Sequence, residues 1–143
     1  MAVTSGVFPC YENQFQIKAG SSYASIADCE TFGVSFNNGV EEWTPFESEG
    51  WVRRLKTAMG VTITVSGKRN IGDAGNDFIS ELSLKNGQEA QADFKWTFPD
   101  GTVVEFEDAV INVTNNLGGD ATNVAPLEFE VLSNGKPTIT SAS

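Results

Sequence analysis

The side chains best able to do chemistry in this chain are carboxylates. Glu105, Glu107 and Asp108 fall close together, and Glu128 and Glu130 follow on a later stretch. Two opposed carboxylates can hydrolyse a glycoside, one as acid and the other as base or nucleophile. The spacing argues against that use here. Glu105 and Glu107 are two residues apart, as are Glu128 and Glu130, so each pair sits side by side on one face of an extended strand. Such a pair is usually the wet side of a sheet. Acidic oxygens also hold calcium, but no EF-hand spacing is present. The chain has no histidine, which removes Ser-His-Asp and Cys-His nucleophiles and most zinc and iron ligation. Cys10 and Cys29 are the only cysteines, too few for a tetrahedral zinc site without histidine. Gly67-Lys68 and Gly72-Asp73-Ala74-Gly75 lack the spacing of a phosphate loop. The expectation is a protein without catalytic residues, metal or cofactor.

The elements that position these residues read as strands. Val61, Ile63 and Val65 alternate with Thr62, Thr64 and Ser66, the period of a strand with one buried face. Ala90, Ala92, Phe94, Trp96 and Phe98 alternate with polar residues in the cleanest amphipathic strand of the chain. Leu127, Phe129 and Val131 alternate with Glu128 and Glu130. A long strand is expected over 102–114, with a bulge near Asp108-Ala109 where the alternation slips. Earlier strands are expected at Phe15–Ile17 and within 26–36. Asn37-Asn38-Gly39 is a hairpin signal, after which Val40–Phe46 returns and Pro45 marks an edge. Strands at 52–57 and 61–69 lead to a glycine corner. One helix is expected after it, capped by Asp73, with Phe78, Ile79 and Leu82 as its apolar stripe and Asn86-Gly87 as its stop. Pro99-Asp100-Gly101 is a tight turn. Strands following strands through short turns predict antiparallel sheets. The expected architecture is mainly β: an antiparallel sandwich or partly closed barrel with one flanking α-helix. One domain spans 1–143, with a flexible arm at 1–9 and a polar tail at 138–143.

Charge is distributed unevenly. The net charge is −10, from 19 acidic and 9 basic side chains, which argues against a groove that grips nucleic-acid phosphates. Glu41, Glu42, Glu47 and Glu49 are followed at once by Arg53, Arg54 and Lys56, then by Lys68 and Arg69. Two readings fit this switch: a solvated hairpin whose strands pair opposite charges, or a self-complementary surface that meets a copy of itself. Trp43 and Trp51 flank the switch and are interface candidates, whereas Trp96 belongs to the core alternation. No run is apolar enough to cross a membrane as a helix. The first residues lack the basic start and apolar middle of a secretion signal, so synthesis in a cytoplasm and two free, mostly buried thiols are expected.

An ordered series then carries a resemblance. It comprises Glu49-Gly50-Trp51, a strand ending Ser66-Gly67-Lys68-Arg69, and Asp73 with Asn76-Asp77 before a short helix. Phe94-Lys95-Trp96 running into Pro99-Asp100-Gly101 and a closing Ser133-Asn134-Gly135-Lys136-Pro137 complete it. Over roughly residues 11–137 the chain resembles the major tail tube proteins of long-tailed bacteriophages. The resemblance implies hexameric rings that stack into a tube, with one sheet of each subunit joining a barrel around the lumen through which DNA passes unbound. It also implies that a long loop, matching Val40–Thr57 here, bridges rings together with the terminal arms. Partners would be other copies, a tape measure, a tail terminator and baseplate or tip proteins, in a virion tail assembled in the bacterial host cytoplasm. Glu105, Glu107, Glu128 and Glu130 are candidates for the lumen or for the outside of the tube. Glu41, Glu42, Trp43, Glu47, Glu49, Trp51, Arg53, Arg54, Lys56, Lys68 and Arg69 are candidates for ring contacts. The alternative is a β-sandwich binding module for a carbohydrate or protein ligand.

Overall fold

Alternating apolar residues build the core. Ile63 and Val65, Phe94, Val104 and Phe106, Ile111, and Leu127, Phe129 and Val131 all point inward and are buried. Each such side chain contributes about 1.5–3 kcal/mol relative to exposure. The computed structural model describes residues 6–141. In chain order the elements are β1 (Gln14–Ala19), β2 (Ser22–Ser25), β3 (Cys29–Phe36), β4 (Gly39–Trp43) and β5 (Arg53–Ala58). β6 (Val61–Lys68), α1 (Ala74–Glu81), β7 (Gln91–Thr97), β8 (Val103–Asn116), β9 (Pro126–Leu132) and β10 (Thr138–Thr140) follow.

The main sheet has the strand order β2-β1-β7-β8-β9-β6-β3, with antiparallel pairing throughout. The expected mainly β, antiparallel class with one α-helix is therefore observed. β1 and β3 lie near opposite ends of that order, yet Phe15 and Phe32 meet edge to face with ring centroids 4.8 Å apart. The sheet thus curls until its two flanks share one aromatic cluster, which Phe94 and Trp96 complete. Trp96 donates its indole N–H to Asn13 Oδ1 at 2.9 Å, so its polar edge is satisfied.

The bulge in β8 lies where the slipping alternation places it. Ala92 pairs with Ala109 but Phe94 pairs with Phe106, leaving Glu107 and Asp108 opposite Asp93. Asp108 adopts φ 52° and its N–H donates to Asp93 Oδ1 at 2.9 Å. The extra residue resets the inward face from Val104 and Phe106 to Ala109 and Ile111, so both halves of a 14-residue strand reach the core.

α1 begins at Asp73, whose carboxylate accepts from Asn76 N at 3.0 Å and from Ala27 N at 3.1 Å. The helix packs so closely on the β2–β3 connection that a Cβ at Gly75 would stand 2.3 Å from the Ser25 carbonyl oxygen. At its foot, fully buried Asn76 ties three segments together. Its Oδ1 accepts from Arg69 Nη1 (2.8 Å) and Asn70 N (2.9 Å), and its Nδ2 donates to Ala27 O (3.1 Å) and Lys68 O (3.0 Å).

Four local expectations are corrected. Asn37-Asn38-Gly39 does not reverse the chain. Asn37 N donates to Gly60 O at 2.7 Å and Gly39 pairs with Ala58, so the ladder of β3 and β6 continues into that of β4 and β5. The reversal comes at 44–52, and β4 runs onward from β3 rather than back along it. β5 and β6 accordingly pair with β4 and β3, not with each other. α1 stops at Glu81 and passes through a 3-10 turn at Leu82–Leu84, while Asn86 accepts from Gly87 N at the start of a second 3-10 turn. Within the expected tail, Thr138–Thr140 forms β10 on β8 beside Val103–Glu105. Residues 1–5 of the expected arm and 142–143 of the tail lie outside the described residues.

Candidate assembly surfaces

β4 and β5 form a two-stranded ribbon that projects past the ends of β3 and β6. Every residue of β5 is exposed, as is β4 beyond Gly39. At its tip, Pro45 leads into a 3-10 turn at Phe46–Ser48, and Glu49 and Gly50 take left-handed backbone at φ 53° and 89°. The Ser48 hydroxyl donates to the Trp51 carbonyl oxygen at 2.7 Å, fixing the turn. The turn holds large apolar side chains in solvent: Phe46 is fully exposed and Trp51 is 79 % exposed. Along the ribbon, Trp43 and Leu55 are exposed on one face and Val40 on the other, with Val52 and Met59 exposed just outside β5. Large apolar side chains left in solvent are the kind of feature by which interaction surfaces are recognised.

The charges of the ribbon are partly answered inside one chain. Arg54 Nε donates to Glu42 Oε2 at 2.7 Å, directly across the ladder, and the Arg53 guanidinium lies 5.6 Å from the centre of the Trp43 ring. The reading of a solvated hairpin with paired opposite charges is met at Glu42 and Arg54. Glu41, Glu47, Glu49 and Lys56 share the exposed ribbon. Lys68 and Arg69 are at the far end of β6 and are engaged there. Lys68 bonds Glu30 at 2.9 Å. Arg69, with a side chain only 11 % exposed, bonds Asp77 at 2.8 Å as well as Asn76. This contact and the Gly72 N–H hold the Asp77 carboxyl below its usual range. Arg69 is thus a strut of the subunit rather than an available contact, which proximity in sequence to the charge switch did not reveal.

The outward face of β3, β6, β9 and β8 carries Thr31 and Ser35, Thr64 and Ser66, Glu128 and Glu130, and Asn112 and Thr114. Glu130 lies between Thr64 and Asn112 and accepts from Asn112 Nδ2 at 3.0 Å. Glu128 pairs with Ser66 across the ladder. Lys68, paired with Pro126 at the end of the same face, is the neighbouring cation and lines one recess with Glu128. Glu105 has a different setting, in register with Lys95 of β7. There the Lys95 ammonium sits 4.2 Å from the centre of the Tyr23 ring, and Lys18 faces Asp93 at 3.9 Å. Burial, then the charges of Glu105 and Asp93, push the Tyr23 phenol up to about 12. Glu107 is exposed at the bulge. The four glutamates therefore differ in setting: Glu128 and Glu130 lie on a mostly polar face with Lys68 at its end, Glu105 faces Lys95, and Glu107 is exposed at the bulge.

Cys10 is exposed and Cys29 half-buried, and both are free, so the expectation of buried thiols fails at Cys10, which lies in a surface 3-10 turn. Burial and the neighbouring Asp28 and Asp73 raise the Cys29 thiol to about 11, making it a poor nucleophile. Among the described residues, no group of three or more Cys, Asp or Glu side chains is placed to hold a metal ion. No helix there is long and apolar enough to cross a membrane.

No family model and no curated protein matches the chain in sequence. Solved structures do match it in fold. A chain from the tail of an empty gene transfer agent (GTA) particle with C6 symmetry superposes with a TM-score of 0.74 at 18 % identity, covering 94 % of this chain and 100 % of that one. A chain from the sheath-tube complex of an extracellular contractile injection system (PVC), in its extended state, gives 0.64 at 13 % identity, covering 97 % and 95 %. A chain from the tube-terminating cap of the anti-feeding prophage gives 0.61 at 19 % identity, covering 99 % and 95 %. The chain therefore has the tail-tube-type fold that its sequence resembles.

Proposed function

We propose that this chain is the structural subunit of a phage-type tail tube, in which hexameric rings stack into a conduit for the genome. The observation that carries the reading is the β4–β5 ribbon, a long protrusion with Phe46 and Trp51 in solvent, on a fold shared with tail and tube chains. A lone domain gains nothing from displaying that surface; a subunit covered by its neighbours gains a contact. The C6 symmetry of the gene transfer agent tail supports six copies per ring. The role is non-enzymatic: the subunit encloses space. In a virion its further partners are the tape measure, tail terminator and baseplate or tip proteins, and assembly takes place in the host cytoplasm.

The face formed by β3, β6, β9 and β8 suits the lumen. Its side chains are mostly hydroxyls and amides, Lys68 at one end is tied to Glu30, and Glu128 and Glu130 repel a phosphate. A duplex then slides on water and mobile ions, as the net charge of −10 also favours. Negative-stain microscopy and sedimentation of purified protein at rising concentration test the reading. Annular particles and stacked tubes are expected. A monomer that persists at high concentration refutes it, and a monomer that instead binds a glycan or protein through exposed Trp51 establishes the alternative, a β-sandwich binding module.

A further inference from the structure

The chain holds three Asn-Gly pairs, Asn38-Gly39, Asn86-Gly87 and Asn134-Gly135. In such a pair the glycine nitrogen, with no Cβ beside it, can approach and attack the side-chain amide of the asparagine before it. The fold treats the three pairs differently. Gly39 is held in the β4–β5 ladder opposite Ala58, where a Cβ would stand 3.0 Å from the Ala58 Cβ. Asn134 has its amide nitrogen engaged, donating to Asp108 O at 3.2 Å. Asn86 lies between the 3-10 turns Leu82–Leu84 and Gly87–Ala90, and it is exposed, as is Gly87. Its Oδ1 accepts from Gly87 N at 2.9 Å. The carbon to be attacked is thereby held beside the attacking nitrogen. Among the described residues no hydrogen bond ties the Asn86 side chain to another segment, so its amide can turn a face to that nitrogen.

We infer that Asn86 is a deamidation site, the pair at which the folded chain converts first. Gly87 N gives its proton to hydroxide and bonds to Asn86 Cγ. The Cγ–Nδ2 bond breaks, and ammonia leaves with a proton taken from water. A succinimide ring then joins residues 86 and 87. Water opens that ring at either carbonyl, leaving aspartate or isoaspartate. The balance is amide and water to acid and ammonia, so solvent is the only co-reactant. The two products act differently on the fold. Aspartate keeps the side-chain oxygen that caps the turn Gly87–Ala90 and adds a negative charge. Isoaspartate adds a methylene to the main chain, which displaces the turn that leads into buried Ala90 and the start of β7 at Gln91. The inference concerns the single chain and stands apart from the tube reading.

The test incubates the full chain, kept dilute, in mildly alkaline buffer and follows amide-to-acid conversion at each pair by peptide mass spectrometry. Conversion at Asn86 is expected to run about tenfold faster than at Asn38 or Asn134, the advantage of a nucleophile already in place. In concentrated urea the three rates should draw together, because each asparagine is followed by the same residue. Equal rates in the folded protein, or a faster Asn38 or Asn134, overturn the site. A preference for Asn86 that persists unchanged in urea shows that the fold does not create it and overturns the inference as well. A melt reads the products. Asn86→Asp should stay within about 3 °C of the parent, while the isolated isoaspartate form melts lower. Coincident melts of those two forms overturn the displaced turn.

Discussion

Replacing Asn76 by alanine is the most informative single perturbation of the subunit. The side chain is fully buried and makes four hydrogen bonds, accepting from Arg69 and Asn70 and donating to the carbonyl oxygens of Ala27 and Lys68. At about 1 kcal/mol net for each bond, their loss removes ~4 kcal/mol. The Asn70 N–H left without its partner pushes the figure up, and water entering the vacated space pulls it down, giving about 3–5 kcal/mol. For a chain of this size that lowers the melting midpoint by ~10–15 °C. Differential scanning calorimetry on dilute protein reads the value without a contribution from assembly. Asn112→Ala is the control, since Asn112 is exposed and bonds only Glu130 among the side chains, and its effect should stay within about 0.5 kcal/mol. A midpoint shift below ~3 °C for Asn76→Ala would mean that the foot of α1 does not depend on this node.

Three further outcomes are expected. Arg53→Glu with Arg54→Glu should change the stability of the dilute monomer by less than about 1 kcal/mol, because exposed ion pairs contribute little, and yet abolish tubes under the microscope; normal tubes would count against ribbon charge in assembly. Glu128→Gln with Glu130→Gln should leave tubes intact and slow genome release from a virion carrying both changes, whereas unchanged release kinetics would exclude these carboxylates from the lumen. Tyr23 titrates at about 12 in the folded chain against an ordinary 10.0, so folding favours its neutral phenol. The stabilisation is complete below pH 10 and disappears as pH rises towards 12. In a Tyr11→Phe background the phenolate absorbance should therefore rise near 12, and Glu105→Gln should move it down; an unmoved titration would show that Glu105 does not act on Tyr23.

Much of the fold was legible along the chain because its signals are local. Buried strands need apolar residues at every second position, so Val61–Val65, Ala92–Trp96 and Leu127–Val131 declared themselves, and a slipped alternation placed a bulge near Asp108-Ala109, within a residue of where Glu107 and Asp108 form it. Asp73 is a cap by virtue of its own short side chain and the turn that follows it. The absence of histidine excluded whole chemistries from composition alone.

Pairing between distant segments was another matter. Asn37-Asn38-Gly39 has the residues of a tight turn, but Met59 and Gly60 across the ladder let the strands run on, so the reversal moved to Pro45–Trp51, where no strong turn dipeptide occurs. Lys68 and Arg69 looked like members of one basic surface with Arg53, Arg54 and Lys56. Because β6 runs the length of the sheet, it carries them to the opposite end, where Glu30, Asn76 and Asp77 engage them. Ile71, Leu117 and Val124 drew no attention as isolated apolar residues in loops. They come to one end of the sheet only because antiparallel strands gather three separate turns there, since local preference sets which residues can face outward and tertiary pairing sets which of them lie near one another.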